Sequence, residues 1–139
     1  MTDDPTLPIV GRSWSEWVLI GDLKGHTVKG RRDLGDLPRD NRPAVYEIAA
    51  LRGDPERGGE FEVLYVGQTS GRSQGVRTRL SDHFMDRDSL WIKVKEATEK
   101  GDWLYARYIQ FDDPRTVKRL ELELRNKLRP RGRYPWNEV

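Results

Sequence analysis

The sequence predicts a small α/β domain of the α+β kind, in which a three-stranded antiparallel sheet is flanked by helices. Two strand-like segments are separated by a turn rich in Gly and Pro, and a third follows two helical stretches. A final helix with a regular apolar stripe then supplies a face to cover the sheet. A chain of 139 residues is long enough for one hydrophobic core and short for two.

The first two strands form a predicted hairpin. Residues 44–51 (AVYEIAAL) and 61–67 (FEVLYVG) are rich in the β-branched and aromatic residues that favour strands. The segment RGDPERGGE between them concentrates Gly, Pro and charge, which indicates a loop. The two strands should therefore pair antiparallel.

Two helices and a third strand follow the hairpin. Val76, Leu80 and Phe84 recur at every fourth position, so a helix that begins near Val76 would turn them towards the core. A second helix is predicted over residues 89–100. The aromatic and β-branched run of residues 103–111 (WLYARYIQF) predicts the third strand.

The last helix has clear boundaries. Asp113 is a predicted N-cap with Pro114 at the first helical position, and the helix should run to about Arg129, where Pro130 ends it. Its apolar stripe consists of Val117, Leu120, Leu124 and Leu128.

One carboxylate of this helix lies within the apolar stripe. At 3.6 residues per turn Glu121 falls inside the stripe, whereas Glu123 points nearly the opposite way. A carboxylate in such a position is costly to bury unless it meets a cation. Its partner is therefore either a structural Arg or a metal ion. An oxygen ligand suits Mg²⁺, which keeps most of its water molecules.

Residues 1–40 are predicted to form an N-terminal extension, and residues 41–139 the main domain. The segment SWSEWVLI is short enough to be either a helix or a strand, packed by Trp14 and Trp17. The stretch after it is rich in Gly and charge and is predicted to be a loop.

Composition and charge exclude some classes of function. The chain has no cysteine, which excludes disulfides and thiolate chemistry, and no membrane-length apolar run. Because no secretory leader is visible either, we expect a soluble, intracellular (cytoplasmic) protein. Residues 115–133 contain eight Lys or Arg against two Glu. Such a surplus suits an anionic polymer, and equally a solvated helix face.

Arg79 and His83 are four residues apart and therefore share one face of the helix after the second strand. This face borders the apolar row, so both side chains should lie at the edge of the core. An isolated pair of this kind is more often an Arg packed along its stem and a surface His than a catalytic pair.

Taken in order, VYE, LYVGQT, RTRLSDHF, RLELELRNKLRP and WN resemble the GIY-YIG nuclease superfamily, over about residues 44–137. Glu121 rather than Glu123 matches the family glutamate, because Leu124 and Pro130 then fall where the family has Leu and Pro. The sequence departs from the family at Ala44 and Val45, and its loop between strand and helix is long. The matching positions are Tyr46, Tyr65, Val66, Gly67, Arg79, His83, Glu121 and Asn137.

The resemblance implies a divalent-metal-dependent endonuclease that hydrolyses DNA phosphodiester bonds. Tyr46 would be the general base, Arg79 would stabilise charge in the transition state, and Glu121 would hold a single Mg²⁺ or Mn²⁺. Two further residues would position the phosphate or the water, and a third would fix the far edge of the site: Tyr65, His83 and Asn137. The partner implied is DNA, with no role for a membrane.

The alternative is a non-catalytic module on the same fold, which binds nucleic acid or another protein. The presence of Tyr46, Arg79 and Glu121 together favours the enzyme, because a binding module has no need for a lone inward carboxylate beside a phosphate.

Overall fold

Antiparallel pairing joins four strands into one sheet in the computed structural model, which describes residues 13–21, 37–52, 59–72, 74–83 and 89–137. Their order across the sheet is β1-β4-β2-β3, so β2 is central and pairs with both β3 and β4. The predicted α+β class is confirmed. The bounds of the strands are β1 Val18–Gly21, β2 Ala44–Arg52, β3 Glu60–Thr69 and β4 Trp103–Gln110.

The prediction of three strands was wrong by one. The additional strand, β1, comes from the predicted extension and pairs antiparallel with β4, with Val18 opposite Ala106. This pairing covers an edge of β4 that would otherwise present unpaired backbone groups. Four residues give too short a pattern to separate a strand from a helix, which is why the sequence left both open. The stretch at 22–36, predicted as a loop, lies outside the described residues.

The three described α-helices are α1 Val76–His83, α2 Trp91–Glu99 and α3 Pro114–Leu128. The Asp113 carboxylate accepts a hydrogen bond of 2.9 Å from the backbone N–H of Arg115, which confirms the predicted N-cap. A 3₁₀ turn over Arg129–Arg131 continues the chain beyond α3. Phe84, predicted to belong to the apolar row of α1, lies outside the described residues. Among the described helices, none has the length and apolar character that a membrane-spanning segment requires.

The two faces of the sheet are covered by different helices. Tyr46 and Ile48 of β2 pack in one apolar cluster with α1 and α2, whereas Val45 and Ala49 pack in another with α3. This division follows from the alternation of side chains along a strand. We call these surfaces the α1/α2 face and the α3 face. All four predicted stripe residues of α3 are buried on the α3 face: Val117, Leu120, Leu124 and Leu128.

The segment after the 3₁₀ turn covers the outer edge of β3. The backbone N–H of Tyr134 donates to the carbonyl of Val63 at 3.2 Å, and that of Trp136 donates to the carbonyl of Leu64 at 2.9 Å. Edge strands left open are prone to pair with other chains. This segment therefore ties the C-terminal part of the chain to β3.

A fully buried carboxylate, Glu47 of β2, lies on the α3 face. Arg107, directly opposite in β4, donates from Nε to Oε1 of Glu47 at 2.7 Å. The hydroxyl of Tyr134 donates to Oε2, and Nη1 of Arg133 lies 3.8 Å from the same oxygen. Burial, together with the Glu47 carboxylate, raises the pKa of Tyr134 far above its usual value, so the phenol remains a donor.

Arg107 also lies between two tryptophans. Its guanidinium carbon is 4.6 Å from the ring centroid of Trp14 and 4.6 Å from that of Trp17. A guanidinium over an aromatic face is attracted by the ring quadrupole. The segment that precedes β1 is thereby attached to the α3 face.

We expect Glu47→Ala to lower the free energy of unfolding by about 3–5 kcal/mol, because Arg107 would remain largely buried without its counter-charge. Urea denaturation measures this loss. Glu62→Ala is the matched control: Glu62 is a half-exposed carboxylate that pairs with Arg52 at 2.7 Å, and its loss should cost about 1 kcal/mol or less. Equal losses in the two variants would contradict the assignment of Glu47 as a buried partner.

Candidate active site

Tyr46 and His83 meet on the α1/α2 face. Tyr46 projects from β2, His83 is the last residue of α1, and the tyrosine hydroxyl lies 2.7 Å from the imidazole Nε2. Either group can donate in this hydrogen bond, according to the tautomer of the imidazole. The exposed fraction is 0% for Tyr46 and 1% for His83. The sequence predicted that His83 lies at the edge of the core. In the structure it is a core residue.

Gly67 provides the space that the Tyr46 ring occupies. It lies directly opposite Tyr46 in the register of β2 and β3. A Cβ at this position would lie 2.5 Å from both Cζ and the hydroxyl oxygen of Tyr46. The strand predicted from the sequence ended at Gly67, where a side chain would obstruct a turn or a ligand, whereas β3 continues to Thr69. The requirement for glycine comes from the tyrosine across the strand pair.

Tyr65 completes a cluster of three rings. It is partly buried, and its ring meets that of His83 edge to face, with 5.5 Å between centroids. The centroid of Tyr46 lies 6.3 Å away. A bulge between Ile48 and Ala49 leaves Leu64 without a partner in β2, and both Leu64 and Tyr65 pack on the α1/α2 face.

The loop before α1 fixes where that helix begins. The hydroxyl of Thr69 donates to the carbonyl of Gln74 at 2.7 Å, and the Gln74 amide donates to Asp82 of α1 at 3.0 Å. Gly75 lies so close to the preceding segment that a Cβ would be 2.3 Å from the carbonyl oxygen of Asp40. These contacts hold the start of α1 against the chain that leads into β2.

Arg79 lies one turn before His83 on α1 and is partly exposed. Val76, Leu80 and His83 form the buried side of the helix, and Arg79 flanks them. It is therefore positioned beside the Tyr46–His83–Tyr65 cluster, one helical turn from His83. Arg77 lies on the other flank of the same helix.

Asn137 acts on the site through β3. Its amide nitrogen donates to the carbonyl of Val66 and its amide oxygen accepts from the N–H of Val66, both at 2.8 Å. Val66 lies between Tyr65 and Gly67, so this paired hydrogen bond holds the part of β3 that carries the aromatic cluster. The predicted position at the edge of the site is thus occupied by a residue whose polar atoms contact backbone.

Glu121 lies apart from this cluster. It belongs to α3, whose apolar stripe packs on the opposite face of the sheet from Tyr46. Its carboxylate is 3.5 Å from Arg125, and none of the described hydrogen bonds or ion pairs connects it with Tyr46 or His83. As predicted, Glu121 is the more buried glutamate of α3, with 17% of its side chain exposed against 50% for Glu123.

Burial raises the pKa of Glu121, and the neighbouring Arg125 opposes that rise. Within the described ranges, no group of three or more acidic or histidine side chains could hold a metal ion. The Arg125 guanidinium already supplies the counter-charge that this carboxylate needs, so Mg²⁺ would have to replace that contact in order to bind here. The convergence of Glu121 with Tyr46 that the resemblance implies is not found among the described contacts.

Glu47 was not predicted from the sequence. The signal was present: Glu47 interrupts the apolar positions of β2 on one face, and Arg107 interrupts those of β4 in the same way. Oppositely charged residues in two adjacent buried strands predict a cross-strand pair.

We expect Gly67→Ala to destabilise the protein, although alanine is otherwise preferred to glycine inside a strand. The added methyl group would displace the Tyr46 ring and break its hydrogen bond to His83, with a loss of about 1–3 kcal/mol. Urea denaturation should show this loss when Gly67→Ala is made in the wild-type background. In a Tyr46→Leu background, where the obstructing ring is absent, the same change should be neutral or stabilising. A loss of the same size in both backgrounds would show that the ring is not the obstacle.

Comparison with known proteins adds no family to this geometry. No protein-family model matches the chain, and neither a curated protein nor a solved structure matches it. A functional proposal accordingly rests on the chain's own residues and on their arrangement.

Proposed function

We propose that the chain is an endonuclease that hydrolyses DNA phosphodiester bonds at the Tyr46–His83 pair. The observation that carries this proposal is the 2.7 Å hydrogen bond between the Tyr46 hydroxyl and His83 Nε2. Tyr65 packs against the same imidazole, and Arg79 lies one turn away on the helix. The order of strands and helices supports a variant of the GIY-YIG nuclease fold with one added edge strand.

The pair can activate a water molecule by relaying one proton. The tyrosine oxygen takes a proton from the attacking water while the tyrosine passes its own proton to Nε2 of His83. The hydroxide then attacks phosphorus, the bond to the 3′ oxygen breaks, and that oxygen leaves as an alkoxide that takes a proton from solvent. Arg79 supplies a permanently charged fork that stabilises the negative charge on the phosphoryl oxygens. His83, as an imidazolium, holds the proton that the water has lost.

Substrate must first reach the pair. Tyr46 and His83 are buried, whereas Tyr65 and Arg79 are partly exposed at the rim. A phosphate would contact these rim residues first, and the Tyr46 hydroxyl must become accessible for chemistry to follow. DNA binding therefore has to open the aromatic cluster.

Glu121 is the residue proposed to bind the metal ion. This carboxylate would hold Mg²⁺ or Mn²⁺, and a bound divalent ion would supply positive charge on the α3 face, apart from the phosphate at Tyr46. Because Glu121 packs on the α3 face, the proton relay described above depends only on residues of the α1/α2 face.

A second candidate function is favoured by the burial of the pair. A fully buried hydrogen bond between Tyr46 and His83 is also what a structural core contact requires, since buried polar groups must be satisfied. In that case the chain would be a non-catalytic module that binds nucleic acid or another protein.

Tyr46→Phe separates the two functions, because it keeps the ring and removes only the hydroxyl. If the pair is catalytic, folding and DNA binding should be retained and cleavage should fall about a hundredfold or more. Nicking of supercoiled plasmid, with and without EDTA, measures the rate and its dependence on metal. Tyr105→Phe, a change to a partly buried tyrosine of β4, is the matched control and should cut normally. A wild-type chain that leaves the plasmid intact would overturn the enzyme, and a Tyr46→Phe variant that cuts at the wild-type rate would overturn the relay.

Glu121→Gln tests the carboxylate through stability. A carboxyl whose pKa is raised on folding binds more protons in the folded state, so its ionisation lowers stability as pH rises through that range. The variant should therefore be more stable than the wild type at neutral pH, and this gain should vanish in acid. Urea denaturation at several pH values measures the difference. Glu123→Gln, at an exposed position, should change little.

The same two variants test the metal. If Glu121 holds Mg²⁺, adding Mg²⁺ should raise the melting temperature of the wild type and of Glu123→Gln, and leave Glu121→Gln unchanged. An equal rise in all three proteins would place the ion elsewhere.

A further inference from the structure

Five cations lie on exposed parts of α3 and of the 3₁₀ turn that follows it, and three of them (Arg115, Lys118 and Arg129) share the solvent side of the helix, with Lys127 on a flank. Four are exposed and Arg129 is partly buried. We call this set the α3 cation surface, and it consists of Arg115, Lys118, Lys127, Arg129 and Arg131.

The acidic groups nearby are already engaged. Glu121 pairs with Arg125 at 3.5 Å, and Glu123 lies 3.9 Å from Arg119. The two acids before the helix are also committed to other partners: Asp113 to the N–H of Arg115 and Asp112 to Arg42 at 2.9 Å. None of the five cations has an ion pair within the described part of the chain. The surface therefore carries a concentrated positive charge that the described acids do not neutralise.

This surface faces away from the aromatic cluster. The stripe of α3 is buried against the α3 face of the sheet, so the opposite side of the helix points to solvent. Tyr46 and His83 lie beyond the sheet, on the α1/α2 face. Leu122, with 53% of its surface exposed, lies on the solvent side of α3. A phosphate held by these cations cannot be the phosphate at Tyr46.

We propose that the α3 cation surface is a docking site for the phosphate backbone of duplex DNA, separate from the catalytic pair. The choice of DNA as the anion rests on the proposed function. Lys and Arg that neutralise phosphates release condensed counterions, which makes binding strong and steeply dependent on salt. Such contacts carry no sequence information, so this surface holds DNA without selecting a site.

The test compares two triple substitutions with the same change in net charge. Arg115, Lys118 and Arg129 are replaced by Gln on the solvent side of α3, and Lys93, Lys95 and Lys100 are replaced by Gln around α2. Both sets are placed in a Tyr46→Phe background, so that binding of a short fluorescent duplex is measured by anisotropy without cleavage. The α3 triple should lose affinity about tenfold or more and reduce the slope of log affinity against log salt by roughly 2–3. The α2 triple should change that slope by less than about 1.

Equal losses of DNA affinity in both triple variants would overturn the docking site, because overall net charge would then determine binding. Unchanged DNA binding by the α3 triple variant would also overturn it. A third such result is that the α3 triple loses binding to phosphatidylserine vesicles while DNA binding stays intact, because the partner would then be a membrane. The endonuclease activity is tested separately, by measuring plasmid cleavage with proteins that retain Tyr46. A chain that binds DNA through α3 without cutting would overturn the enzyme and support the docking site.

Discussion

Because successive side chains of a strand point to opposite faces of a sheet, β2 buries Tyr46 on the α1/α2 face and Glu47 on the α3 face. Both are polar, and a buried polar group without a partner costs free energy. Glu47 meets Arg107 and Tyr134, and Tyr134 adopts a left-handed backbone conformation (φ 64°). Side chains rarely occupy that region, so the contact with Glu47 offsets a local strain. On the other face, the hydrogen bond to His83 satisfies the buried hydroxyl of Tyr46.

These two requirements organise the parts of the chain that surround the sheet. Tyr134 begins the segment that covers the edge of β3, and this segment ends at Asn137, whose amide holds the backbone of Val66. On the other face, His83 can reach Tyr46 only because Gly67 leaves room for the tyrosine ring. A structural ion pair on one face and a candidate catalytic pair on the other are thus carried by neighbouring residues of one strand.

Sequence periodicity predicted the structural features that are determined within a single helix or strand. The stripe of α3, its N-cap at Asp113 and the greater burial of Glu121 than of Glu123 all follow from spacing within one helix. Periodicity could not predict the features that depend on how two helices or strands pack together. Whether Glu121 faces Tyr46 is decided by which side of the sheet α3 covers, and the spacing within α3 carries no information on that. The need for glycine at position 67 arises from a ring in the neighbouring strand.

The division between the faces also separates binding from chemistry in the proposed enzyme. Four of the five cations of the α3 cation surface are exposed, whereas the Tyr46 hydroxyl is buried until the cluster opens. Burying a tyrosine removes on the order of 200 Å² from water, so full exposure of the ring would cost roughly 5 kcal/mol. Reaching the hydroxyl requires only that the partly exposed rim, which includes Tyr65 and Arg79, shifts, because the ring itself can stay packed over Gly67. A phosphate at Arg79 favours opening to the extent that it binds more tightly once the rim is displaced. Opening of the pair would then depend on DNA at the α1/α2 face rather than on DNA held at α3.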